Sequence, residues 1–298
     1  MQEESVLRAT RHGKVLLLEL NRPDRYNAFS DDLQEAFWNC LAEADRDPET
    51  RAIVVTGVGE AFCVGADLKK RRNSGWPDGA DEKEEKRYFE AALHVWWRRD
   101  KATSERLMSI MEMEKPVIAA VNGWALGWGL WLCLACDITI AAKRAVFGQP
   151  EVRHSVTSTF LFPALVGWKN AHRYALTGDH FDADEALRIG AINQVVADDE
   201  LLPTALALAQ RLAMVPAASL RINKAITSRG MMVSGLKAAM ELNAQLSIIS
   251  HASNDSAETE HLNRIRAEQG AREMVKQRDL PFLPEPFGPR SKPRGKAK

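Results

Sequence analysis

The chain has 298 residues, of which 45% are hydrophobic and 27% charged, a balance typical of a globular protein that can fill a sizeable core. Forty basic side chains are offset by forty acidic ones, so the net charge gives no general attraction to nucleic acid or to an anionic membrane. The first ten residues are polar and mixed in charge, unlike a signal peptide. We therefore expect a cytoplasmic protein whose partners include neither membrane nor nucleic acid.

Short β-rich runs alternate with amphipathic stretches through the first two thirds of the chain. In chain order, the runs predict strands at 15–20, 52–56, 117–121 and 138–142, and the stretches predict helices at 31–45, 81–113 and 126–135. Alternation of this kind indicates an α/β fold with buried, largely parallel strands.

Only helices are predicted after residue 196, at 201–214, 217–228, 235–250 and 257–276. We therefore divide the chain into an α/β core at 1–198, a helical segment at 199–279, and a proline-rich basic tail at 280–298 that should be irregular. The helical segment is too thin to enclose its own core, so we expect it to pack on the α/β core or on another copy of the chain.

No metal or redox site is predicted. Cys133 and Cys136 have CxxC spacing, but a second such pair is absent and both lie in an apolar run, as do Cys40 and Cys63. The seven histidines show no ligand spacing. The cysteines are therefore interpreted as small core residues.

Three glycine-containing segments follow predicted strands, at 56–68, 115–129 and 147–152. Neither GxGxxG nor GxxxxGK[ST] occurs, so nucleotide binding is not expected. Backbone N–H groups at such turns lack intrahelical partners, and at a helix start they lie at the positive end of the dipole. Two of them converging on one carbonyl oxygen would form an oxyanion hole, although the glycines could equally serve only the turns.

The order of several motifs makes the chain resemble the crotonase superfamily, the enoyl-CoA hydratase/isomerase family. The motifs are Asn21-Arg22-Pro23 with Asn27-Ala28, Gly65-Ala66-Asp67-Leu68, Asn122-Gly123 with Ala125-Leu126-Gly127, Cys136-Asp137, and Phe147-Gly148-Gln149-Pro150-Glu151. The resemblance extends over about residues 6–250 and implies an α/β spiral of ββα units followed by helices that form trimers.

The resemblance also implies a substrate and a binding site. The substrate is an acyl-CoA thioester whose carbonyl is held by the backbone N–H groups of Ala66 and Trp128, in the 1–198 region. The coenzyme A portion would lie along residues shared with the family's motifs: Arg22, Arg25, Ala28, Val64, Gly65, Asp67, Leu68 and Lys69. No cofactor is implied besides the coenzyme A of the substrate, and a homotrimer or a dimer of trimers is expected.

One departure from the family narrows the expected chemistry. Glu151 matches the second of two hydratase glutamates, but Trp131 stands where the first is expected. Addition of water is helped by two carboxylates, whereas a tryptophan offers a single N–H donor. Simple hydration should therefore be poor, and Glu151 alone would act as acid and base, as in the isomerases of the family.

Other outcomes remain open from the sequence. Trp131, His154, Ser155 and Trp124 are predicted to line the acyl pocket, where His154 could assist Glu151 or be structural. Enzymes that hydrate and cleave aromatic enoyl thioesters also lack the first glutamate, and hydrolases and dehalogenases share the scaffold. A non-catalytic homologue that contacts RNA through the basic tail is an alternative of another class.

Overall fold

The computed structural model describes residues 5–68, 82–154, 158–252 and 257–291. In these ranges the strands form two sheets and the helices pack around them. The strands are β1 (Leu7–His12), β2 (Val15–Leu20), β3 (Ala52–Gly57), β4 (Ala61–Cys63), β5 (Val117–Val121), β6 (Trp124–Leu126), β7 (Ile138–Ala142), β8 (Val146–Gly148), β9 (Phe181–Asp182) and β10 (Gln194–Val196).

The larger sheet has six strands in the order β1-β2-β3-β5-β7-β10. Its pairs are parallel except for the antiparallel hairpin of β1 and β2. Alternate residues of each strand face opposite sides, as strand geometry requires. Val54 and Ile118 contribute to the apolar layer on one face, and Ile53, Val55 and Val117 to the main core on the other. The predicted α/β class with buried, mostly parallel strands is confirmed.

The helices follow the strands and then occupy the C-terminal third. They are α1 (Asp31–Arg46), α2 (Glu82–Glu112), α3 (Trp128–Ala135), α4 (Leu161–Val166), α5 (Trp168–Ala175), α6 (Ala183–Arg188), α7 (Leu201–Met214), α8 (Ala217–Met231), α9 (Lys237–Ala252), α10 (Ala257–Gln269) and α11 (Ala271–Asp279). A π-helical turn, Met232–Leu236, joins α8 to α9.

The helix predicted from residue 126 begins two residues later. Leu126 belongs to β6, and Gly127 has a φ of +52°, which ends the strand and cannot be part of a right-handed helix. The shift matters because it makes Trp128, rather than Leu126, the first residue of α3.

The C-terminal helices do not form a separate layer. Helix α7 places Leu201, Ala205 and Ala209 on the larger sheet and completes its second apolar face. Helix α9 packs against α2, where Ser104 Oγ donates a hydrogen bond to the Met240 carbonyl. After α11, the chain forms a short 3₁₀ turn, Leu280–Phe282, and then irregular structure.

Within the described ranges, no single helix is long and apolar enough to cross a membrane. One pair of helices, Asp198–Met214 and Ala217–His251, is long and apolar enough only when the two are taken together, and the pair is bent by 109°. The described part of the chain also contains no group of three or more His, Cys, Asp or Glu side chains arranged to hold a metal ion.

Candidate active site

The smaller sheet brings the three glycine-containing segments to one edge. Its strand order is β4-β6-β8-β9, and β4 and β8 each pair with β6 in parallel. The carboxyl ends of parallel strands lie at the same edge of a sheet, so the turns that follow these three strands are adjacent. The Gly127 N–H donates to the Gly148 carbonyl at 2.9 Å and ties the second turn to the third.

Two glycines allow these turns to approach each other closely. Gly65, after β4, has a φ of +95°, and Gly127, after β6, has a φ of +52°. Both values lie in the region that favours glycine. A methyl group on Gly127 would lie 1.8 Å from Glu151 Oε1, which is inside the van der Waals distance. The carboxylate therefore occupies the space that a side chain at position 127 would need.

The same geometry shows what lies near Gly65. A methyl group built there would be 3.3 Å from Glu151 Oε1 and 3.5 Å from the backbone nitrogen of Trp128. Glu151 lies on a 3₁₀ turn, Pro150–Arg153, which follows β8. The turn after β4, the first residue of α3 and the Glu151 carboxylate consequently meet within a few ångströms of one point.

Two backbone N–H groups at this point remain available. Trp128 is the first residue of α3, where the N–H has no intrahelical acceptor. In the first turn, Phe29 N–H donates to the Gly65 carbonyl, and Asp67 N–H donates to the Phe29 carbonyl. Among the hydrogen bonds of the described residues, none is donated by the N–H of Ala66 or Trp128. Both can therefore donate to a ligand oxygen.

A cavity of about 750 Å³ opens over this point. Ala66, Trp128 and Glu151 line it. The side chains that enclose it come from both ends of the chain, including α2, α9 and α11. A volume of this size accommodates an organic ligand.

Trp131 is a wall of this cavity rather than a reactive group. Its side chain is buried, and its indole N–H donates to Gln149 Oε1 at 3.0 Å. Since an indole has a single donor and no acceptor, Trp131 has no hydrogen-bonding capacity left for a water molecule or substrate.

The cysteine beside the first turn is not a nucleophile. Cys63 is fully buried at the end of β4. Burial, reinforced by the negative charge of Glu151, raises the pKa of its thiol to about 12. A neutral, enclosed thiol leaves Glu151 as the candidate acid/base group at the turns.

Comparison with known proteins identifies the family. The family model described as enoyl-CoA hydratase/isomerase matches residues 10–264. The chain belongs to this family. It is 35% identical over 226 residues to a short-chain-enoyl-CoA hydratase of Clostridium acetobutylicum, covering 74% of this chain and 80% of the relative. It is also 35% identical over 214 residues to a 1,2-epoxyphenylacetyl-CoA isomerase of Escherichia coli, covering 70% and 77%.

A solved structure agrees with this assignment. The crystal structure of an enoyl-CoA hydratase/isomerase from Xanthobacter autotrophicus Py2 superposes with a TM-score of 0.81 at 27% identity, covering 93% of this chain and 98% of that one. The chain is thus an acyl-CoA-processing enzyme of the hydratase/isomerase type with the crotonase fold.

The described residues that the family resemblance assigns to coenzyme A lie on two segments, 22–28 and 64–68, which are hydrogen-bonded to each other. Val64 N–H donates to the Tyr26 carbonyl, and Phe29 pairs with Ala66. Five of the residues predicted to contact coenzyme A line the cavity, namely Arg25, Ala28, Val64, Asp67 and Leu68. Segments 22–28 and 64–68 therefore form one continuous wall of the cavity.

Arg22 and Gly65 lie behind this wall. Arg22 donates to the Ala28 carbonyl and forms an ion pair with Asp67 at 2.8 Å, so its guanidinium links the two segments instead of lining the cavity. Gly65 contributes its conformation rather than a surface. Lys69, the last predicted residue, lies outside the described residues.

Of the other predicted pocket residues, His154 lines the cavity and Trp124 does not. Trp124 lies at the start of β6, two residues before the cavity wall at Leu126, and its ring packs edge-to-face on His180 with centroids 5.9 Å apart. The structure therefore places the Trp124 ring against His180 and not among the residues that line the cavity. Ser155 lies outside the described residues.

Sequence reasoning missed a group of charged side chains behind the Glu151 turn. Arg153 has a side chain that is only 1% exposed, and it forms ion pairs with Asp179, Asp279 and Glu285. With their further partners these residues form what we call the C-terminal ionic cluster: Arg153, Arg173, Asp179, His180, Arg278, Asp279, Glu285 and Arg290. Their separation in the sequence, up to 137 positions between Arg153 and Arg290, left no local signal.

Proposed function

We propose that this chain is a single-carboxylate enzyme that moves a proton between two carbons of an enolisable acyl-CoA thioester, with double-bond isomerisation as its reaction. The observation that carries the proposal is the meeting of Glu151 with the Ala66 and Trp128 turns, while Trp131 replaces a second carboxylate. The proposed mechanism uses only main-chain amides and one side chain, so it requires no cofactor besides the coenzyme A of the substrate.

The proposed reaction begins with a 3-enoyl thioester whose carbonyl oxygen accepts hydrogen bonds from the Ala66 and Trp128 N–H groups. Glu151 removes a proton from the carbon next to the carbonyl, and the electron pair moves to the thioester oxygen. The resulting dienolate is stabilised by the two donors, since they are fixed where negative charge develops. Glu151 then returns the same proton to the far end of the double-bond system, which yields the 2-enoyl thioester.

Trp131 argues against simple hydration at this site. A hydratase must hold and deprotonate a water molecule as well as deliver a proton. The buried indole takes up space in the wall, and its donor is engaged by Gln149. Glu151 would then have to perform both proton transfers without a second group to orient the water.

The proposal is tested with 2-enoyl-, 3-enoyl- and aromatic enoyl-CoA thioesters, measured with the wild type and with Glu151→Gln. We expect turnover of the 3-enoyl thioester that falls by roughly 10²- to 10⁴-fold in Glu151→Gln, because an amide cannot accept the proton. Glu60→Gln is the matched control, since Glu60 is exposed and outside the cavity lining.

Each outcome of this panel is informative. Full activity of Glu151→Gln would refute the role of that carboxylate. Aldehyde release from an aromatic enoyl thioester would identify the hydratase-lyase reaction instead of isomerisation, and rapid hydration of a 2-enoyl thioester would contradict the role given to Trp131.

Trimeric assembly is part of the proposal. Helices α8 and α9 and the turn between them carry large apolar side chains that are more than half exposed: Ile222, Ile226, Val233, Leu242, Leu246 and Ile249. Water contact with such a face is unfavourable, and a homotrimer or dimer of trimers would cover it. A solution mass of one 33.2 kDa chain would contradict this assembly. The cytoplasmic location stays a prediction.

A further inference from the structure

One face of α11 closes part of the cavity. The cavity is lined from this helix by Ala271, Arg272, Val275 and Arg278. The last three follow Ala271 by one, four and seven positions, a spacing that places all four on one side of the helix. Two of the four are arginines and none is acidic. This face therefore presents positive charge to the cavity that contains Glu151.

Arg278 is the more enclosed of the charged groups on this face. The residue is 7% exposed. Its Nε donates to Asp279 Oδ1 at 2.8 Å, and its Nη1 lies 3.4 Å from His154 Nδ1. Because a guanidinium only donates, His154 Nδ1 is the acceptor in this contact. No hydrogen bond of the described residues involves Arg278 Nη2, so this nitrogen is available to a ligand.

Asp279 does not neutralise Arg278 by itself. The same carboxylate also accepts from Arg153 at 3.3 Å and from Arg290 at 2.9 Å. Within the C-terminal ionic cluster, four guanidinium groups meet three carboxylates. A buried cation that shares its counter-ion with two others favours a further anion beside it.

We propose that Arg278 recognises a carboxylate on the acyl group, so that the substrates are acyl-CoA thioesters with an acid group at the far end of the acyl chain. This assignment rests on the proposed function for the location of the thioester. Arg278 contacts His154, the residue that follows the 3₁₀ turn carrying Glu151. The guanidinium therefore lies toward the reacting end of the cavity. A guanidinium binds a carboxylate through two parallel hydrogen bonds, a geometry that a lysine cannot provide.

The phosphates of coenzyme A fit this position less well. Arg25, on the wall assigned to coenzyme A, has a side chain that is 41% exposed, whereas the side chain of Arg278 is 5% exposed. Strongly hydrated phosphate groups favour the exposed cation, because burying a doubly charged group costs more than burying a single carboxylate.

Binding measurements without turnover test the proposal. Calorimetry compares glutaryl-CoA with pentanoyl-CoA, adipyl-CoA with hexanoyl-CoA, and free coenzyme A, on the full chain. We expect the wild type to bind at least one acid thioester about tenfold or more tightly than its uncharged match, as a charge-assisted hydrogen bond predicts. Arg278→Met should weaken that thioester by roughly 10- to 100-fold while leaving the uncharged thioesters and free coenzyme A within about twofold.

Arg290→Met is the matched control, because Arg290 donates to the same Asp279 carboxylate without lining the cavity. It should preserve the preference for the acid thioester. The proposal is overturned if the wild type shows no such preference in either pair, or if Arg290→Met removes it equally. Equal weakening of free coenzyme A by Arg278→Met would assign the guanidinium to the phosphates instead.

These outcomes are separable from those of the proposed reaction. Saturated thioesters report binding only, so a preference that depends on Arg278 can persist even if Glu151→Gln retains activity. Arg278→Lys provides a second variant that keeps the charge, and we expect an intermediate affinity for the acid thioester, because a single ammonium replaces the planar pair of donors.

Discussion

The two sides of the 3₁₀ turn that carries Glu151 differ in what forms them: main-chain turns on one side and charged side chains on the other. In front of it, Gly65 and Gly127 create room for a carboxylate and two main-chain amides through backbone conformation alone. Behind it, the C-terminal ionic cluster packs charged side chains from distant parts of the chain around Arg153. The front determines what chemistry is possible, whereas the back holds the 3₁₀ turn and α11 in place. This contrast predicts that substitutions in front affect turnover, and that those behind, apart from Arg278 at the cavity, affect stability first.

Gly127→Ala should have the largest effect on turnover. The added methyl group would lie 1.8 Å from Glu151 Oε1, so the carboxylate must move. Displacement of a catalytic group by about an ångström costs on the order of 10²-fold, and loss of its proton transfer costs about 10²- to 10⁴-fold. We therefore expect kcat for the preferred enoyl thioester to fall by that range, measured in steady state.

Gly13→Ala separates this collision from ordinary backbone strain. Gly13 also has a positive φ, +62°, but nothing lies within 4 Å of the position that its Cβ would take. Alanine in that region costs about 1–2 kcal/mol of stability. If Gly13→Ala lost as much activity as Gly127→Ala, strain and not the position of Glu151 would explain the defect.

The front of the site was predictable because its signals are local. Glycines after short apolar runs predict turns, and the family's motifs lie within three continuous segments, so the sequence predicts Ala66, Trp128 and Glu151 as site residues. Strands β2, β3, β5 and β7 of the larger sheet were predicted for the same reason, since continuous apolar runs are typical of buried parallel strands. Strands β4, β6, β8 and β9 were missed because two or three residues are too few to show a period.

The back of the site was not predictable because the residues that form the C-terminal ionic cluster come from distant parts of the sequence. Glu285 lies in a stretch with five prolines, where the sequence suggests an irregular tail, yet it is 1% exposed and accepts a hydrogen bond from the His180 N–H. Strand β1 was missed for a related reason. It is an edge strand with mostly exposed residues, so it lacks the apolar alternation of a buried one.

Arg153→Met tests the back of the site by removing its central cation. Asp179, Asp279 and Glu285 would lose a buried partner. Removal of one member of a buried ion pair typically costs 3–5 kcal/mol, so we expect the free energy of unfolding to fall by roughly that amount in urea titrations. Lys143→Met is the control. Its ion pair with Asp184 is 63% exposed on both sides and should contribute about 1 kcal/mol or less. Equal losses in both variants would contradict a buried cluster.

A smaller effect is expected from the protonation of Asp279. Burial would raise the pKa of this carboxyl, but hydrogen bonds and charges from Arg278 and Arg290 outweigh it and lower the pKa to about 2. The unfolded chain binds the proton more tightly, so the contribution of Asp279 is complete at neutral pH and is lost as the pH falls through the ordinary Asp pKa toward 2. Between pH 5 and pH 3, the wild type should lose about 1 kcal/mol more stability than Asp279→Asn.

The effect of added salt on stability distinguishes this buried carboxylate from a more exposed one, Asp47, whose pKa is lowered to a similar value. The pKa of Asp47 is also lowered to about 2, first by a hydrogen bond from Thr50 and then by Arg11, but the Asp47 side chain is 28% exposed, compared with 8% for Asp279. Screening by added salt acts on exposed charges much more than on buried ones. The pH-dependent difference between the wild type and Asp279→Asn should therefore persist at about 0.5 M salt, whereas the part of the Asp47→Asn difference that comes from Arg11 should shrink. If both differences faded together, Asp279 would behave as a surface group, and the C-terminal ionic cluster would not be closed to water in solution.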